Sequence, residues 1–408
     1  ESSMIDRPRY YDQIRQFIDT PFIKILTGVR RSGKSTMLLL IQEIIKEQGV
    51  AEDHIISMNF ESMQLADLRD SHSLYTSLSQ KLGALKGKTY LFFDEIQIVE
   101  SWEEVINSLN LDYSCDIYIT GSNSQLLSSE LSTLLTGRYI HIPMYVLSFS
   151  EMLQFRSEYR KKQTDEELLW LFIRRGGFPA VHLSHYDEKA THMIVSDIYD
   201  SIVLRDVVQR YNIRNVDLLH RIMHFLMDTL GSPVSAKKIS DYFKSQHHAV
   251  DINTIYSYLD ALVNSFIIHK VQRYDIQGKE LLKTQEKYYL ADQGIQHAVL
   301  GYRDRHISGI LENIVFLELV GRGYRVSIGK LENLEIDFVA ENTKTRLYVQ
   351  VAYQLNLENT VAREAAPLLA IRDAYPKFVV TMDTRFQDTI EGIRYVSLLQ
   401  FLTDVYLF

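Results

Sequence analysis

The sequence predicts an α/β fold for the amino-terminal part of the chain, and three observations indicate it. Short apolar runs typical of buried strands occur at 22–27, 54–61 and 90–95. Between the first two lies a longer segment, 37–45, whose apolar residues suit a helix. The apolar runs end in polar residues, and ligands bind at the carboxyl edge of the sheet in open α/β folds. We therefore expect a functional site where these strands end.

Length and composition limit the classes of protein to which this chain can belong. The 408 residues are enough for roughly two to four domains. A net charge of −8 argues against a wholly basic nucleic-acid coat but leaves room for a local basic surface. The single cysteine, Cys115, excludes an internal disulfide and favours a reducing compartment, and no apolar run approaches the ~20 residues that span a bilayer. We expect a cytoplasmic protein with no membrane segment and with Cys115 as a core thiol.

The segment 28–36 joins the first predicted strand to the first long helix and fits G-x-x-x-x-G-K-[ST]. Two glycines let the backbone curl so that its N–H groups point at phosphate oxygens, and the helix N-terminus adds partial positive charge. Lys34 is expected to reach the β- and γ-phosphates, and Ser35 to ligate Mg²⁺. The sequence thus predicts a P-loop that binds ATP, formed by Gly28, Val29, Arg30, Arg31, Ser32, Gly33, Lys34, Ser35 and Thr36.

Two acids end the apolar run at 90–95. Asp94 is expected to hold Mg²⁺ through water, and Glu95 to act as the general base that polarises the attacking water. The alternative is a solvated pair of acids after a strand, which the P-loop upstream disfavours.

Three further residues follow or precede predicted strands of this region. Glu61 either assists near the phosphates or caps the end of its strand. Asn123 fits a sensor of the γ-phosphate or of water, because a neutral amide can both donate and accept. Arg138 is a candidate arginine finger acting in cis or across a subunit boundary. The alternative for Arg138 is a solvent-exposed side chain in a turn.

Together these motifs resemble the AAA-type ATPases, in which a catalytic glutamate follows the acid that binds magnesium. More closely, the whole chain is similar to a bacterial and archaeal family in which such an ATPase is fused to a C-terminal domain of uncharacterised function. The resemblance implies a parallel sheet with helices on both faces, Mg-ATP at its carboxyl edge, and hydrolysis of ATP to ADP and phosphate. It is carried by residues 27–35, 93–97, 120–123, 136–138 and 147–151.

Helical patterns replace the strand patterns from about residue 148. The stretch 174–179 interrupts one helix and resembles the Gly-x-Pro lid motif of related signal-transduction ATPases, in which the turn packs on the adenine. The resemblance implies that Gly177 and Pro179 contact the nucleotide. A plain turn between helices is the alternative.

A second unit is predicted within 215–300. Helices at 216–230, 235–243 and 253–262 precede a β-hairpin, which is the order of elements in a winged helix. In DNA-binding examples the third helix enters the major groove and the hairpin adds positive charge. Protein docking is the alternative, because this third helix has no Arg or Lys. The candidate DNA contacts are Thr254, Tyr256, Ser257, Tyr258, Lys270, Arg273, Lys279 and Lys283.

The C-terminal segment resembles the restriction-endonuclease-like fold. In that fold an acid on a helix, an Asp on one strand and a Glu/Gln-x-Lys on the next strand assemble a Mg²⁺ site. Glu312, Asp337 and Gln350 match this layout, but Ala352 stands at the lysine position. Without that cation we expect a degenerate, binding-only relative of nucleases. Residual nuclease activity is the alternative.

The sequence therefore predicts an α/β P-loop ATPase core at 1–147, a helical lid and linker at 148–214, a winged helix at 215–300 and a small α/β endonuclease-like domain at 301–408. We expect an ATPase that couples hydrolysis to DNA binding or remodelling and that self-associates if Arg138 acts in trans. The alternatives are a nucleotide-gated regulatory switch that binds another protein, and an ATP-dependent nuclease.

Overall fold

The computed structural model describes residues 4–159, 162–356, 358–385 and 388–408. The chain divides into two compact units. One contains the residues up to Tyr145 together with Asn264–Phe266, and the other contains Val146–Val263 and Ile267–Phe408. Within the described residues, no helix combines the length and apolar composition needed to cross a bilayer.

The first unit is built on a five-stranded sheet with the order β2-β3-β4-β1-β5, in which every neighbouring pair is parallel. Its strands are β1 (Ile23–Thr27), β2 (Ile55–Asn59), β3 (Thr89–Asp94), β4 (Cys115–Gly121) and β5 (Tyr139–Pro143). Its helices are α1 (Pro8–Arg15), α2 (Lys34–Glu47), α3 (Ser71–Gly83), α4 (Trp102–Asp112) and α5 (Ser129–Leu135). The predicted parallel sheet is confirmed.

Helices cover both faces of this sheet because successive strand residues point to opposite sides. Leu26 and Phe92 belong to the apolar cluster that contains the buried residues of α1 and α2. Their neighbours Ile25 and Phe93 belong to a second cluster, with α3, α4 and α5. Cys115 is buried at the start of β4, where burial raises the pKa of its thiol to about 12. The cysteine is therefore a core thiol, as predicted.

The register of the sheet brings the ends of three strands to one edge. Strand β4 lies between β1 and β3. Thr27 pairs with Gly121, and Phe93 pairs with Ile119. The segments that follow β1, β3 and β4 consequently emerge side by side, and these are the segments with the polar motifs.

The second unit begins with helices. They are α6 (Phe149–Phe155), α7 (Asp165–Arg175), α8 (Glu188–Ser201), α9 (Val216–Asp228), α10 (Ala236–Ser245), α11 (Ile252–Asn264) and α12 (Gly294–Leu300), and a π-helical segment (Ile202–Gln209) continues α8. Two strands lie between α11 and α12 and form an antiparallel hairpin, β6 (Ile268–Asp275) and β7 (Glu280–Leu290).

The rest of the second unit completes an eight-stranded mixed sheet of order β12-β13-β11-β10-β9-β8-β6-β7. Its remaining strands are β8 (Arg325–Leu331), β9 (Leu334–Glu341), β10 (Arg346–Ala352), β11 (Lys377–Thr381), β12 (Thr389–Ile390) and β13 (Ile393–Ser397). The associated helices are α13 (Ile307–Gly321), α14 (Glu358–Leu369) and α15 (Leu398–Thr403). Strand β6 pairs in parallel with β8, with Arg273 opposite Ile328. The hairpin after α11 and the C-terminal strands therefore share one sheet.

Candidate active site

The loop between β1 and α2 adopts a conformation that two glycines make possible. Gly33 has a φ of 108°, in the region that side chains other than glycine rarely occupy. A Cβ on Gly28 would lie 2.2 Å from the carbonyl oxygen of Met144, so a side chain has no room there. The Lys34 ammonium donates to the carbonyl oxygens of Gly28 (2.8 Å) and Val29 (2.9 Å), so it lies within the curve of the loop.

A buried arginine that the sequence analysis did not identify supports this loop from the N-terminal segment. The Arg7 guanidinium donates to the carbonyl oxygens of Ser32 (2.7 Å) and Tyr145 (2.9 Å). It also lies over the ring of Tyr10, 4.7 Å from the centroid. No local motif marks Arg7, because these loop and strand-end partners are far from it in the chain.

Ser35 and Asp94 meet at the start of α2 and the end of β3. The Ser35 hydroxyl donates to Oδ2 of Asp94, and the Thr120 hydroxyl donates to Oδ1. Burial raises the pKa of Asp94, while these two hydrogen bonds act in the opposite direction. Among the described residues, no group of three or more His, Cys, Asp or Glu side chains is placed to hold a metal. A magnesium ion bound by one or two protein oxygens and by substrate phosphates does not need such a group.

Glu95 follows directly and is buried, with a φ of 54° in the left-handed region. Its Oε2 accepts hydrogen bonds from the side chains of Gln97 and, at 2.9 Å, Ser122. Burial raises the pKa of Glu95, but the charges of Lys34 and Arg30 and the two hydrogen bonds outweigh it, so the pKa is lowered. The carboxylate is therefore ionised at neutral pH. Gln97 and Ser122 lie in segments that the sequence singled out, but no role was predicted for them.

The other residues of the loop divide into buried and exposed members. Arg30 forms an ion pair with Glu61, with 2.6 Å between Nη2 of the arginine and Oε1 of the glutamate. Glu61 therefore contacts the loop and does not merely cap its strand. Val29 and Ser32 are buried. The exposed members are Arg31, Ser35 and Thr36.

Comparison with known proteins places this site in a family. A model for an AAA domain matches residues 20–153, and a model for a domain of unknown function matches residues 166–306. An uncharacterized protein of Haemophilus influenzae is 40% identical over 400 residues, which is 98% of this chain and 99% of the relative. An uncharacterized protein of Methanocaldococcus jannaschii is 33% identical over 362 residues, 86% of this chain and 79% of the relative.

The chain belongs to the AAA-type P-loop ATPases. P-loop ATPases generally use ATP and Mg²⁺. Among solved structures, the Walker-type ATPase of Pyrococcus abyssi is 15% identical with a TM-score of 0.49, and the match covers 72% of this chain and 95% of that one.

Two residues predicted to sense or stabilise the reacting phosphate lie at different edges of the ATPase sheet. Asn123 follows β4 and is buried, with its Oδ1 accepting from the backbone N–H of Gln125 (2.8 Å). Arg138 is exposed and precedes β5, whose first residue pairs with the first residue of β1. The P-loop follows the other end of β1, roughly 15 Å away at about 3.3 Å per residue. Arg138 is thus remote from the P-loop of its own chain.

The turn that contains Gly177 is held by a buried acid, Asp292, which no sequence pattern marks. Asp292 accepts from the backbone N–H groups of Gly177 (2.7 Å) and Gly294 (3.2 Å). Burial raises the pKa of Asp292 to about 7. The carbonyl oxygen of Gly177 accepts from the N–H of Leu147 (2.7 Å). Pro179 begins the short 3₁₀ helix that follows. Both backbone groups of Gly177 are consequently used within the second unit.

The candidate DNA contacts on α11 differ in accessibility. Tyr256 and Ser257 are exposed, and Thr254 is half-buried. Tyr258 is buried, and its hydroxyl accepts from the backbone N–H of Asn215 (3.1 Å). The prediction that Tyr258 contacts DNA is therefore wrong, because its side chain belongs to the core.

The four basic residues predicted on the β6–β7 hairpin also differ, because two are bonded to neighbouring residues and two are exposed. Lys270 pairs with Glu286 (3.2 Å), and Arg273 donates to the carbonyl oxygen of Thr284 (3.0 Å). Lys279 and Lys283 are exposed, and neither makes an ion pair or a side-chain hydrogen bond with the described residues. Lys279 and Lys283 are therefore the most available hairpin cations.

The three residues predicted to form a degenerate nuclease-like site are brought together at β9, β10 and α13. The backbone N–H of Asp337 donates to Oε1 of Gln350 (2.7 Å), and its carboxylate accepts from the N–H of Val351 (2.8 Å). Burial, and next the charge of Asp337, raise the pKa of Glu312 to about 8. The charges of Glu312 and Asp337 are therefore close enough to interact.

A lysine from the hairpin joins these acids. Lys287 on β7 is buried, and its ammonium lies 2.6 Å from Oε1 of Glu335 and 3.4 Å from Oε1 of Glu312. The Tyr289 hydroxyl also donates to Glu312 (2.8 Å). Lys287 lies on β7, whereas the endonuclease-like layout places its cation on β10, where Ala352 stands. We call Lys287, Glu312, Glu335 and Asp337 the acid cluster.

Proposed function

We propose that this protein binds Mg-ATP in the P-loop site and hydrolyses it to ADP and phosphate. The observation that carries the proposal is the convergence of Lys34, Ser35, Asp94 and Glu95 at one edge of the sheet. These are an ammonium, a hydroxyl and two carboxylates, the groups that phosphoryl transfer to water requires.

The chemistry follows from the position of each group. The loop N–H groups and Lys34 bind the phosphates, where the helix dipole of α2 adds positive charge. Ser35 and Asp94 would hold Mg²⁺, which supplies charge neutralisation for the phosphate oxygens. Glu95 is ionised and accepts the proton of the attacking water. Asn123 is proposed to sense the γ-phosphate or this water.

Steady-state ATPase measurements on Lys34→Ala and Glu95→Gln test the assignment. We expect both variants to lose turnover, because one lacks the phosphate ligand and the other lacks the base. Lys46→Ala is the matched control, since Lys46 lies on the same helix and pairs with Glu43 on the surface. Wild-type turnover in both test variants would contradict the proposal.

We further propose that α9–α11 and the β6–β7 hairpin form a winged helix that engages DNA. The order of these elements supports this interpretation. A backbone bridge from Val234, between α9 and α10, to Glu286 on β7 adds a third strand position beside the hairpin. Tyr256, Lys279 and Lys283 offer an exposed ring and two exposed cations for phosphates or bases.

A salt titration of binding to random duplex DNA tests this part. Phosphate contacts predict a linear fall of log affinity with log salt concentration, and Lys279→Ala with Lys283→Ala should reduce the slope by about two. Lys189→Ala, an exposed lysine on α8, is the control. Failure to bind duplex at low salt would favour the second candidate, a nucleotide-gated module whose winged helix docks a protein.

Self-association is proposed on the position of Arg138. An arginine at the amino edge of the sheet is remote from its own P-loop, so it acts as a finger only on a neighbouring subunit. Mixing Lys34→Ala with Arg138→Ala protein tests this. We expect each variant to be inactive alone and the mixture to regain part of the turnover, because mixed neighbours pair an intact P-loop with an intact arginine. No recovery would contradict a finger acting in trans.

For the C-terminal segment we propose a binding-only relative of the endonuclease-like fold. Lys287 pairs with two of its acids, and Glu312 has a raised pKa, which disfavours the ionised form that Mg²⁺ requires. Duplex DNA with Mg²⁺ should remain uncut. Cutting that is lost in Asp337→Ala would show an active nuclease instead.

A further inference from the structure

The side chain of Gln97 is oriented toward the catalytic end of β3. It follows Glu95 by two residues in a 3₁₀ turn (Ile96–Ile98). Its Nε2 donates to Oε2 of Glu95 and lies 3.5 Å from Oγ of Ser122. Ser122 in turn donates to the same Oε2 of Glu95 (2.9 Å). The three side chains therefore contact one another, and two hydrogen-bond donors share one carboxylate oxygen of Glu95.

The carbonyl oxygen of the Gln97 side-chain amide differs from its nitrogen. Its Oε1 is buried and has no hydrogen-bond partner among the described residues. A buried acceptor without a donor destabilises a folded protein, so packing alone gives little reason for a glutamine here. The contacts that Gln97 does make are with Glu95 and Ser122.

The backbone around Gln97 makes room for this arrangement. A Cβ on Gly121 would lie 2.7 Å from Oε1 of Gln97, so the absence of a side chain at 121 allows the amide to reach Glu95. The Thr120 hydroxyl accepts from the backbone N–H of Glu95 (3.1 Å). The end of β4 thus supports Glu95 through Thr120, Ser122 and the space at Gly121.

We propose that Gln97 is a positioning residue for the ATPase reaction, which holds Glu95 by one carboxylate oxygen so that the other oxygen receives the proton of the attacking water. This proposal rests on the proposed ATPase function and on the role of Glu95 as base. Gln97 acts only through Glu95. A group that orients a base in this way changes the rate of the chemical step and leaves substrate binding unchanged.

The test is a double-substitution cycle on single-turnover ATP hydrolysis with enzyme in excess. Gln97→Ala alone should lower the rate about tenfold or more, with ATP affinity within twofold of wild type. In the Glu95→Gln background, Gln97→Ala should cause no further loss, because there is no base left to orient. Equal losses in the two backgrounds would overturn the proposal, since a purely structural role slows both.

Two further variants keep the test informative if Gln97→Ala perturbs folding. Gln97→Glu keeps the size of the side chain but replaces the donor with a second carboxylate beside Glu95. It should lower the rate at least as much as Gln97→Ala, and wild-type turnover in Gln97→Glu would overturn the proposal. Gln42→Ala is the matched control, because Gln42 is also a buried glutamine bonded to a serine, Ser57 (3.2 Å). It should hydrolyse ATP at the wild-type rate, and an equal loss there would also overturn the proposal.

The outcome distinguishes this inference from the proposed function. If Glu95→Gln keeps wild-type turnover, the assignment of the base fails. If Glu95→Gln is inactive while Gln97→Ala is as fast as wild type, the ATPase assignment stands and the role of Gln97 fails.

Discussion

Two glutamates, each beside a lysine, have opposite pKa shifts in this protein. Glu95 is surrounded by two cations and two neutral hydrogen-bond donors, and together they outweigh burial and lower its pKa. Glu312 has one cation, but burial and the neighbouring Asp337 outweigh it and raise its pKa to about 8. The difference teaches that a nearby lysine does not by itself make a reactive site. The balance of charges around the acid decides whether it is available as a base or a metal ligand.

The largest expected effect separates the two glutamates by function. Glu95→Gln should lower kcat ~1,000-fold, because general-base catalysis contributes a factor of this order, while ATP binding is kept since the phosphate ligands remain. Glu312→Gln should leave kcat within about twofold. Steady-state turnover and binding of a fluorescent ATP analogue measure both. A loss of turnover in Glu312→Gln equal to that in Glu95→Gln would remove the distinction.

Substitutions in the acid cluster should change the stability of the protein and not its ATPase turnover. Lys287→Met leaves its carboxylates without their cation and is expected to lower the free energy of unfolding by about 3 kcal/mol. Urea unfolding of the full chain measures this. Lys283→Met is the control, because Lys283 lies on the same strand and is exposed. Similar losses in the two variants would show that the ion pairs of Lys287 contribute little to stability.

Asp292 is a third acid to compare with these glutamates. Among the described residues, its carboxylate accepts hydrogen bonds only from backbone N–H groups. Its pKa is raised from 3.8 to about 7, so the folded protein binds a proton that the unfolded chain releases. This contribution is fully present below pH 4 and is lost as the pH rises through 7. Between pH 5 and 7 the free energy of unfolding should fall by about 2 kcal/mol from this group. Asp292→Asn should remove that part of the pH dependence, and an unchanged profile would contradict it.

The smallest expected effect concerns the support of the P-loop. Arg7→Met removes two hydrogen bonds to backbone carbonyls, including that of Ser32, and should raise the KM for ATP ~5-fold, about 1 kcal/mol. Arg9→Met is the control from the same segment, since Arg9 is partly exposed. Steady-state kinetics at varied ATP measures both. An unchanged KM in Arg7→Met would show that the loop keeps its shape without this residue.

The sequence alone was sufficient to predict the ATPase sheet and two of its motifs, the glycine-rich loop and the pair of acids. The loop 28–36 is continuous, and Asp94 and Glu95 directly follow an apolar strand, so their chemistry is local in the chain. The prediction of helices on both faces came from the resemblance to AAA-type ATPases that these motifs carry. For these parts, local spacing and strand polarity carry the information.

Other features of the two units depend on contacts between residues that are distant in the chain. Lys287 meets Glu312 and Glu335 only because the hairpin joins the C-terminal sheet, and Asp292 reaches Gly177 across 115 positions. No spacing rule predicts such pairs.

The error at Tyr258 was avoidable. Ile255, Tyr258, Leu259 and Leu262 recur at the i, i+3, i+4, i+7 spacing of one helix face, and all four are buried. That spacing places Tyr258 on the inner face of α11, away from any surface that could meet DNA.

The parallel pairing of β6 with β8 has a consequence for truncated forms of the protein. A fragment ending at residue 306, where the match to the domain of unknown function stops, would contain β6 without β8. The backbone groups of Arg273–Asp275 that face Ile328–Lys330 would then lie bare at a strand edge, which readily recruits other chains. Such a truncation should precipitate or form aggregates, whereas a cut placed after the whole eight-stranded sheet should not.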